Sequence, residues 1–183
     1  MGITLDKDAF SNGQIDSKLW LCRELENLYE SIDSVYIYGG WYAMTAFLLK
    51  SRERIDIKAI RSFDIDPACE SIADMLNENW VYKDWQFKAI TKDCNEIKPR
   101  DVDLIINTST EHFESMQWWT NIAKGRHVAL QGNNMLHDDH VVHTDSLDKF
   151  LSKYPLREIL FQGTLDFNYP DKKFTRFMTI GIK

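Results

Sequence analysis

The residues best suited to chemistry lie in the segment NTSTEH, residues 107–112, directly after an apolar run. The imidazole of His112 can accept a proton at neutral pH, and Glu111 can orient that ring or act as the base itself. Asn107 and Ser109 add groups that align a reactant by hydrogen bonding. We therefore predict Asn107, Glu111 and His112 as catalytic residues and Ser109 as a substrate contact. Helix capping is the alternative, with a hydroxyl residue as N-cap and the glutamate in the first turn.

Two carboxylates close an earlier apolar run. The pattern of residues 60–65 predicts a buried strand that carries Asp64 near its end, and Asp66 follows just beyond. A carboxylate presents two charged oxygens, which suits a pair of neighbouring hydroxyls. Asp66 directly precedes Pro67 and fits better as the charge at a helix N-terminus, which is also the alternative for Asp64. Asp64 is the stronger candidate for ligand binding.

A glycine turn precedes both features. Residues 34–49, SVYIYGGWYAMTAFLL, predict a buried strand, an abrupt turn and an apolar helix. Gly39 and Gly40 would let a ligand approach backbone N–H groups that a Cβ atom would shield, although glycines also simply end strands. The GxGxxG spacing is missing and Trp41 follows at once, which favours a ligand without phosphates. The Trp41 ring could stack on a cation; core packing is the alternative.

Two further groups of polar side chains, amides and histidines, follow later in the sequence. Gln131, Asn133 and Asn134 follow the predicted fifth strand, so we predict them as substrate contacts, with an ordinary polar loop as the alternative. The segment HDDHVVH, residues 137–143, has metal-capable side chains three apart. Asn, Asp and His are ordinary loop residues too, so this pattern alone predicts no metal site.

The elements that must position these residues alternate along the chain. The patterns predict, in order, a helix over 16–32, the strand, turn and helix of 34–49, a strand over 60–65, a helix from 67 to about 79, strands over 86–91 and 102–107, a helix over 113–123, a strand over 127–131, a helix over 146–153, and strands over 157–167 and 174–182. Strands alternating with helices predict a parallel α/β sheet, whereas the last two strands, joined by a short turn, should pair antiparallel.

Composition limits the class of protein. A chain of 183 residues with 44% hydrophobic content predicts one folded domain over residues 1–183, in which the N-terminal helical segment 1–34 covers the sheet or the pocket. The net charge of −6 argues against general nucleic-acid binding. Three cysteines, far apart, indicate neither a disulfide framework nor a CxxC metal site. The start of the chain does not fit a signal peptide, and we predict a cytoplasmic protein without membrane association.

Four segments carry a family resemblance. They are VYIYGG (35–40), FDIDPACESIADMLN (63–77), TKDCNEI (91–97) and VDLIINTSTEH (102–112). With the order of elements, they resemble the class I S-adenosylmethionine-dependent methyltransferases, in particular small stand-alone members from phages and bacteria. The resemblance implies a Rossmann-like α/β fold. Its mostly parallel seven-stranded sheet is flanked by helices and ends in an antiparallel C-terminal hairpin.

The resemblance also implies S-adenosylmethionine as cofactor. Gly39 and Gly40 would approach its methionine moiety, Asp64 would accept hydrogen bonds from the ribose hydroxyls, and Asp93 with the backbone around Cys94 would meet the adenine.

The chain departs from the family at the first of these motifs. The family commonly has an acidic residue and a third glycine there, whereas Tyr38 and Trp41 stand nearby in this chain. Both are therefore predicted cofactor contacts, and so is Asn107.

The predicted function is transfer of the cofactor's methyl group to a small molecule or an exposed protein side chain. Methyl transfer is an in-line displacement, which chiefly requires alignment of nucleophile, methyl carbon and sulfur. Two alternatives stay open. The enzyme could react at the aminocarboxypropyl side of the cofactor and release methylthioadenosine, or the chain could be a non-catalytic binding protein of the same fold.

Overall fold

The computed structural model describes residues 5–170 and 172–183. Residues 1–4 of the predicted N-terminal segment and Asp171 of the predicted hairpin turn lie outside the described residues. The strands are β1 Ser31–Tyr38, β2 Asp56–Asp64, β3 Phe87–Thr91, β4 Leu104–Asn107, β5 His127–Asn133, β6 Glu158–Asn168 and β7 Lys173–Ile182. The α-helices are α1 Asn12–Leu28, α2 Met44–Arg52, α3 Pro67–Leu76, α4 Glu78–Val81, α5 Gln117–Asn121 and α6 Leu147–Lys153. Short 3-10 helices span Lys7–Phe10, Cys94–Glu96 and Thr110–His112.

The seven strands form one sheet in the order β3-β2-β1-β4-β5-β7-β6. Strands β1 to β5 pair in parallel, and β7 runs antiparallel to both β5 and β6. The predicted fold class is confirmed, including the C-terminal hairpin. The strand order reverses between β1 and β4, which opens a crevice at the carboxyl ends of these two strands.

Alternation along the strands builds two apolar layers. In β1, Val35 and Ile37 belong to the cluster packed under α1, α2 and α3. Tyr36 and Tyr38 belong to the cluster on the opposite face, which includes Trp118 of α5 and other side chains around α6. Because successive side chains of a strand point to opposite faces, a stretch packed on both sides has apolar or aromatic side chains at every position, as observed for residues 35–38 at the end of β1.

The N-terminal helix differs from its prediction. It begins at Asn12 rather than near residue 16, and it ends at Leu28, because Tyr29 is already extended with φ −135° and ψ 132°. Lys18 and Leu21 lie on the buried face of this helix, whereas Leu28 at its end is exposed. The helix contributes to the core cluster on one face of the sheet, whereas residues 31–34 belong to β1 and not to a helical segment.

Two further boundaries were predicted wrongly. The helix predicted over 113–123 is the short α5, and the backbone N–H of Trp118 in its first turn donates to Asn95 Oδ1 at 3.0 Å. Strand β5 continues to Asn133 because it pairs with β7 up to Arg176. Asn133 is therefore a strand residue rather than part of a loop. Among residues 5–170 and 172–183, no helix has the length and apolar character that crossing a membrane requires.

Candidate active site

The glycine turn lies directly at the carboxyl end of β1. Gly39 has φ +60°, a left-handed conformation that favours glycine, and a Cβ atom there would come within 2.9 Å of the Phe113 ring. Gly40 donates its N–H to the carbonyl of Phe63 at 3.0 Å, so the turn is tied to β2. A Cβ atom on Gly40 would lie 1.9 Å from Ser62 Oγ, and it could be admitted only if that hydroxyl rotated away.

Asp64 closes the same turn from β2. Its Oδ2 accepts from the backbone N–H of Trp41 at 2.7 Å, and its Oδ1 accepts from the backbone N–H of Asp66 at 3.1 Å. Asp66 itself caps α3 by accepting from the N–H of Ala68 at 2.9 Å. The structure thus separates the two carboxylates: Asp64 lines a pocket, and Asp66 serves the helix N-terminus.

The turn after β3 lines the same pocket as the glycine turn and Asp64. Asp93 Oδ1 accepts from the backbone N–H of Asn95 at 2.8 Å and thereby caps the 3-10 helix Cys94–Glu96. Burial raises the pKa of the Cys94 thiol to about 12, so this side chain is a neutral thiol and not a nucleophile at neutral pH.

A cavity of about 720 Å³ opens at the carboxyl ends of the strands. This volume lies within the range of small-molecule sites, about 300–1,000 Å³. Ten of the predicted site residues line it: Gly39, Gly40, Trp41, Asp64, Asp93, Cys94, Ser109, Glu111, His112 and Asn133.

Four predicted site residues do not line the cavity. Tyr38 is fully buried, with its ring centroid 6.3 Å from that of Trp118 in the core. Asn107 is fully buried, and its Oδ1 accepts from the backbone N–H of Ser109 at 2.9 Å. Gln131 donates to the carbonyl of Ser17 at 2.9 Å, and Asn134 Oδ1 accepts from the N–H of Thr175 at 2.7 Å. The polar groups of Asn107, Gln131 and Asn134 thus form hydrogen bonds with the backbone around the site.

Glu111 lies at the floor of the cavity. Only 4% of its side chain is exposed, and Asn133 Nδ2 donates a hydrogen bond to its Oε1. Arg176 Nη1 stands 3.8 Å from the same oxygen and donates to the carbonyl of Thr108 at 3.1 Å. Glu111 Oε2 has no hydrogen-bond partner within the described part of the chain, although it is buried. A buried carboxylate oxygen without a partner costs free energy that a bound ligand can restore.

Lys18 is a second buried cation at the cavity wall. Its Nζ donates to Gln14 Oε1 at 2.5 Å. Burial lowers the pKa of Lys18 from 10.5 to about 7, and Arg176 lowers it further, while Glu111 and Asp8 act in the opposite direction. The amine therefore titrates near neutrality. Neither Lys18 nor Arg176 was predicted from the sequence.

The histidine-rich segment forms a loop beside the site. His112 Nδ1 lies 3.0 Å from the carbonyl of Asp139, and the backbone N–H of Val142 donates to the carbonyl of Glu111 at 2.9 Å. The rings of His112 and His140 meet edge to face at 4.9 Å. His143 instead pairs with Asp145 at 2.6 Å, outside the cavity lining.

Comparison with known proteins adds to this geometry. No protein-family model matches the sequence, and no curated protein is similar to it in sequence. Solved structures, in contrast, match closely in fold. The N-methyltransferase NodS from Bradyrhizobium japonicum, in complex with S-adenosyl-L-homocysteine, matches with a TM-score of 0.68 at 13% identity over 93% of this chain and 88% of that chain. The chain has the class I methyltransferase fold.

Two more proteins share this class I methyltransferase fold. Magnesium protoporphyrin IX methyltransferase (ChlM) from Synechocystis, with bound S-adenosylmethionine, has a TM-score of 0.60 at 11% identity over 91% of this chain and 77% of that chain. A putative RNA methyltransferase from Pyrococcus horikoshii has a TM-score of 0.60 at 15% identity, covering 98% and 89% of the two chains. At such identities the likeness confirms the predicted fold.

Proposed function

We propose that the protein is an S-adenosylmethionine-dependent methyltransferase. One observation carries the proposal: the Asp64 carboxylate and the Gly39–Gly40 turn form one wall of the cavity. In an α/β sheet this is where a ribose and the attached chain of a nucleoside cofactor are held. Solved structures of the same fold, NodS and ChlM, contain S-adenosylhomocysteine and S-adenosylmethionine respectively.

The residues present fit this cofactor. The two oxygens of Asp64 each accept one backbone hydrogen bond, which leaves capacity for the two hydroxyls of a ribose, since a carboxylate offers about four acceptor positions. Phe113 and Ser62 fill the space that a Cβ atom on Gly39 or Gly40 would need, and both glycines line the cavity, where the methionine moiety would lie. Asp93 and Cys94 line the next part of the wall, where the adenine would lie.

The acceptor would bind beside the cofactor, at the carboxyl ends of β4 and β5. Four predicted residues line the cavity at these strand ends: Ser109, Glu111, His112 and Asn133. In this proposal Ser109 and Asn133 contact the acceptor. Glu111 and His112 take part in the reaction. A small molecule or an exposed protein side chain fits such a cavity. A cytoplasmic location and the absence of general nucleic-acid binding are also part of the proposal, the latter supported by the net charge of −6.

Binding of the cofactor tests the proposal. We expect S-adenosylmethionine and S-adenosylhomocysteine at about 100 times their Kd to raise the midpoint of thermal unfolding by about 5 °C, because a ligand that binds only the native state stabilises it by mass action. Differential scanning fluorimetry measures this shift, and NAD⁺ at the same concentration is the matched control. Equal shifts with NAD⁺, or none with either sulfur compound at millimolar concentration, would exclude the proposed cofactor.

The products distinguish methyl transfer from the other reaction of the same cofactor. Incubation with S-adenosylmethionine and a small-molecule cell extract should yield S-adenosylhomocysteine, quantified by mass spectrometry. Methylthioadenosine as the product would instead assign the reaction to the aminocarboxypropyl side.

A further inference from the structure

We propose that Glu111, His112 and His140 form a binding site for a divalent transition-metal ion in the lining of the cavity, with Glu111 buried, His140 half-buried and His112 exposed. One ligand atom from each of the three side chains can be chosen so that all three lie within 4.8 Å of one another. Ligand atoms about 2.0–2.2 Å from a tetrahedrally bound ion lie about 3.4 Å apart, so rotations of the side chains must bring the three atoms closer together to enclose the ion. All three residues line the cavity.

The two imidazoles are oriented as metal ligands are. His112 Nδ1 lies 3.0 Å from the carbonyl of Asp139, and His140 Nδ1 lies 2.8 Å from the carbonyl of Met135. A backbone carbonyl only accepts, so each ring must donate from Nδ1 and keep the lone pair on Nε2. Metal-binding histidines characteristically donate their other ring N–H to a carbonyl or carboxylate, which fixes both the tautomer and the direction of the ring.

Glu111 supplies an independent observation. Its Oε1 is already engaged by Asn133 and stands 3.8 Å from Arg176, which holds the carboxyl group in place. Its Oε2 is buried and has no partner within the described part of the chain, although the side chain is only 4% exposed. A bound cation would give this oxygen the partner that the described residues do not supply.

The loop that carries His140 is tied to the other two ligands through the backbone. Val142 donates to the carbonyl of Glu111 at 2.9 Å, and the carbonyl of Asp139 meets the His112 ring. The three ligands therefore belong to one hydrogen-bonded unit, even though His140 is 28 positions beyond His112 in the sequence. Hydrogen bonds of this kind, made by groups that do not bind the metal themselves, hold metal ligands in their orientation.

The donor set indicates the class of metal. Two imidazole nitrogens and one carboxylate oxygen suit Zn²⁺, Fe²⁺ and similar ions, whereas Mg²⁺ and Ca²⁺ prefer oxygen ligands only. Three protein ligands leave coordination positions open toward the cavity. If the proposed function holds, on which this step rests, the acceptor carries an oxygen that can occupy such a position, and His112 and Glu111 are ligands rather than the bases predicted from the sequence.

Cobalt and zinc binding test the site directly. Protein freed of metal with a chelator and returned to buffer should bind one equivalent of Co²⁺ with a visible d–d absorption band, and Zn²⁺ should displace it. His140→Ala should weaken Zn²⁺ binding by at least about 100-fold in isothermal titration calorimetry, because one of three ligands is lost. His143→Ala is the matched control, since His143 lies in the same loop but outside the cavity lining.

Two outcomes would overturn the inference. The first is a wild-type protein that binds neither Co²⁺ nor Zn²⁺, and the second is a His140→Ala variant that binds Zn²⁺ as tightly as the wild type or the His143→Ala control. Binding of S-adenosylhomocysteine to the metal-free protein is measured in parallel. If S-adenosylhomocysteine binds but neither metal does, only the proposed metal site is wrong. If a metal binds but S-adenosylhomocysteine does not, only the proposed cofactor is wrong.

Discussion

Asp64→Ala should lower the affinity for S-adenosylmethionine and S-adenosylhomocysteine by at least about 100-fold while the protein remains folded. The carboxylate contributes twice. It would accept the ribose hydroxyls, and it fixes the glycine turn by accepting from the N–H of Trp41 at 2.7 Å. Isothermal titration calorimetry with S-adenosylhomocysteine gives the affinity, and circular dichroism reports the fold.

Asp66→Ala is the matched control for this variant. It removes an equal charge two residues away, but its side chain caps α3 and lies outside the cavity lining. Loss of the cap should lower the free energy of unfolding by about 1 kcal/mol and leave the affinity unchanged. If Asp64→Ala kept the affinity of the wild type, or if both variants lost it equally, the assignment of Asp64 to the ribose would be wrong.

Lys18→Met should raise the free energy of unfolding at pH 7 by on the order of 3 kcal/mol. Burial lowers the pKa of Lys18 from 10.5 to about 7, so folding below pH 7 transfers a charged amine into the interior. Methionine has a similar length and no charge to desolvate. Urea denaturation of the variant and the wild type measures the difference.

The pH dependence of this effect has a definite sign. Between pH 7 and 10.5 the folded lysine is largely neutral while the unfolded one is charged, so the unfolded state binds more protons and the wild type gains stability as the pH rises. The advantage of Lys18→Met should therefore be largest at or below pH 7 and clearly smaller at about pH 9.

An exposed lysine provides the comparison. Lys98→Met makes the same chemical change at an exposed position, and it should leave the free energy of unfolding nearly unchanged at both pH values. A destabilised Lys18→Met, or a gain that is the same at pH 7 and at about pH 9, would show that desolvation does not dominate at this site. A stability cost retained at a cavity wall is typical of residues kept for function.

The wall of the cavity proposed to bind the cofactor was largely predictable from local sequence. The strand, the two glycines and the acidic residue after the next strand each leave a signal within a few residues, and the sheet topology brings the strand ends together. Gly39, Gly40 and Asp64 consequently line one cavity. Asp66 caps α3, as the proline that follows it indicated.

The acceptor side was less predictable because its charges come from both ends of the chain. Lys18 lies on α1 and Arg176 on β7, so only the packed fold places them beside Glu111. Each did leave a signal. Arg176 interrupts an apolar strand, and Lys18 shares a helical face with Leu21 and Leu25, which are fully buried.

The amides after the fifth strand show how an element boundary changes a site. The prediction ended β5 at Gln131 and left Asn133 and Asn134 beyond the strand. Pairing with β7 extends the strand to Asn133, and Gln131 and Asn133, two residues apart, point to the same face, so their position along the strand decides which of them meets the cavity at its carboxyl end. Asn133 reaches the cavity, whereas Gln131 is fully buried and bonds to Ser17.

Because Gly40 lies close to Ser62 of β2, substitutions at positions 40 and 62 depend on each other. A methyl group at position 40 would meet the Ser62 hydroxyl at 1.9 Å but the Ser62 Cβ atom only at 3.3 Å. Alanine at position 40 is therefore tolerated far better in a descendant that has already lost the hydroxyl at position 62. Evolutionary drift at these two sites should be correlated, with the change in the strand coming first.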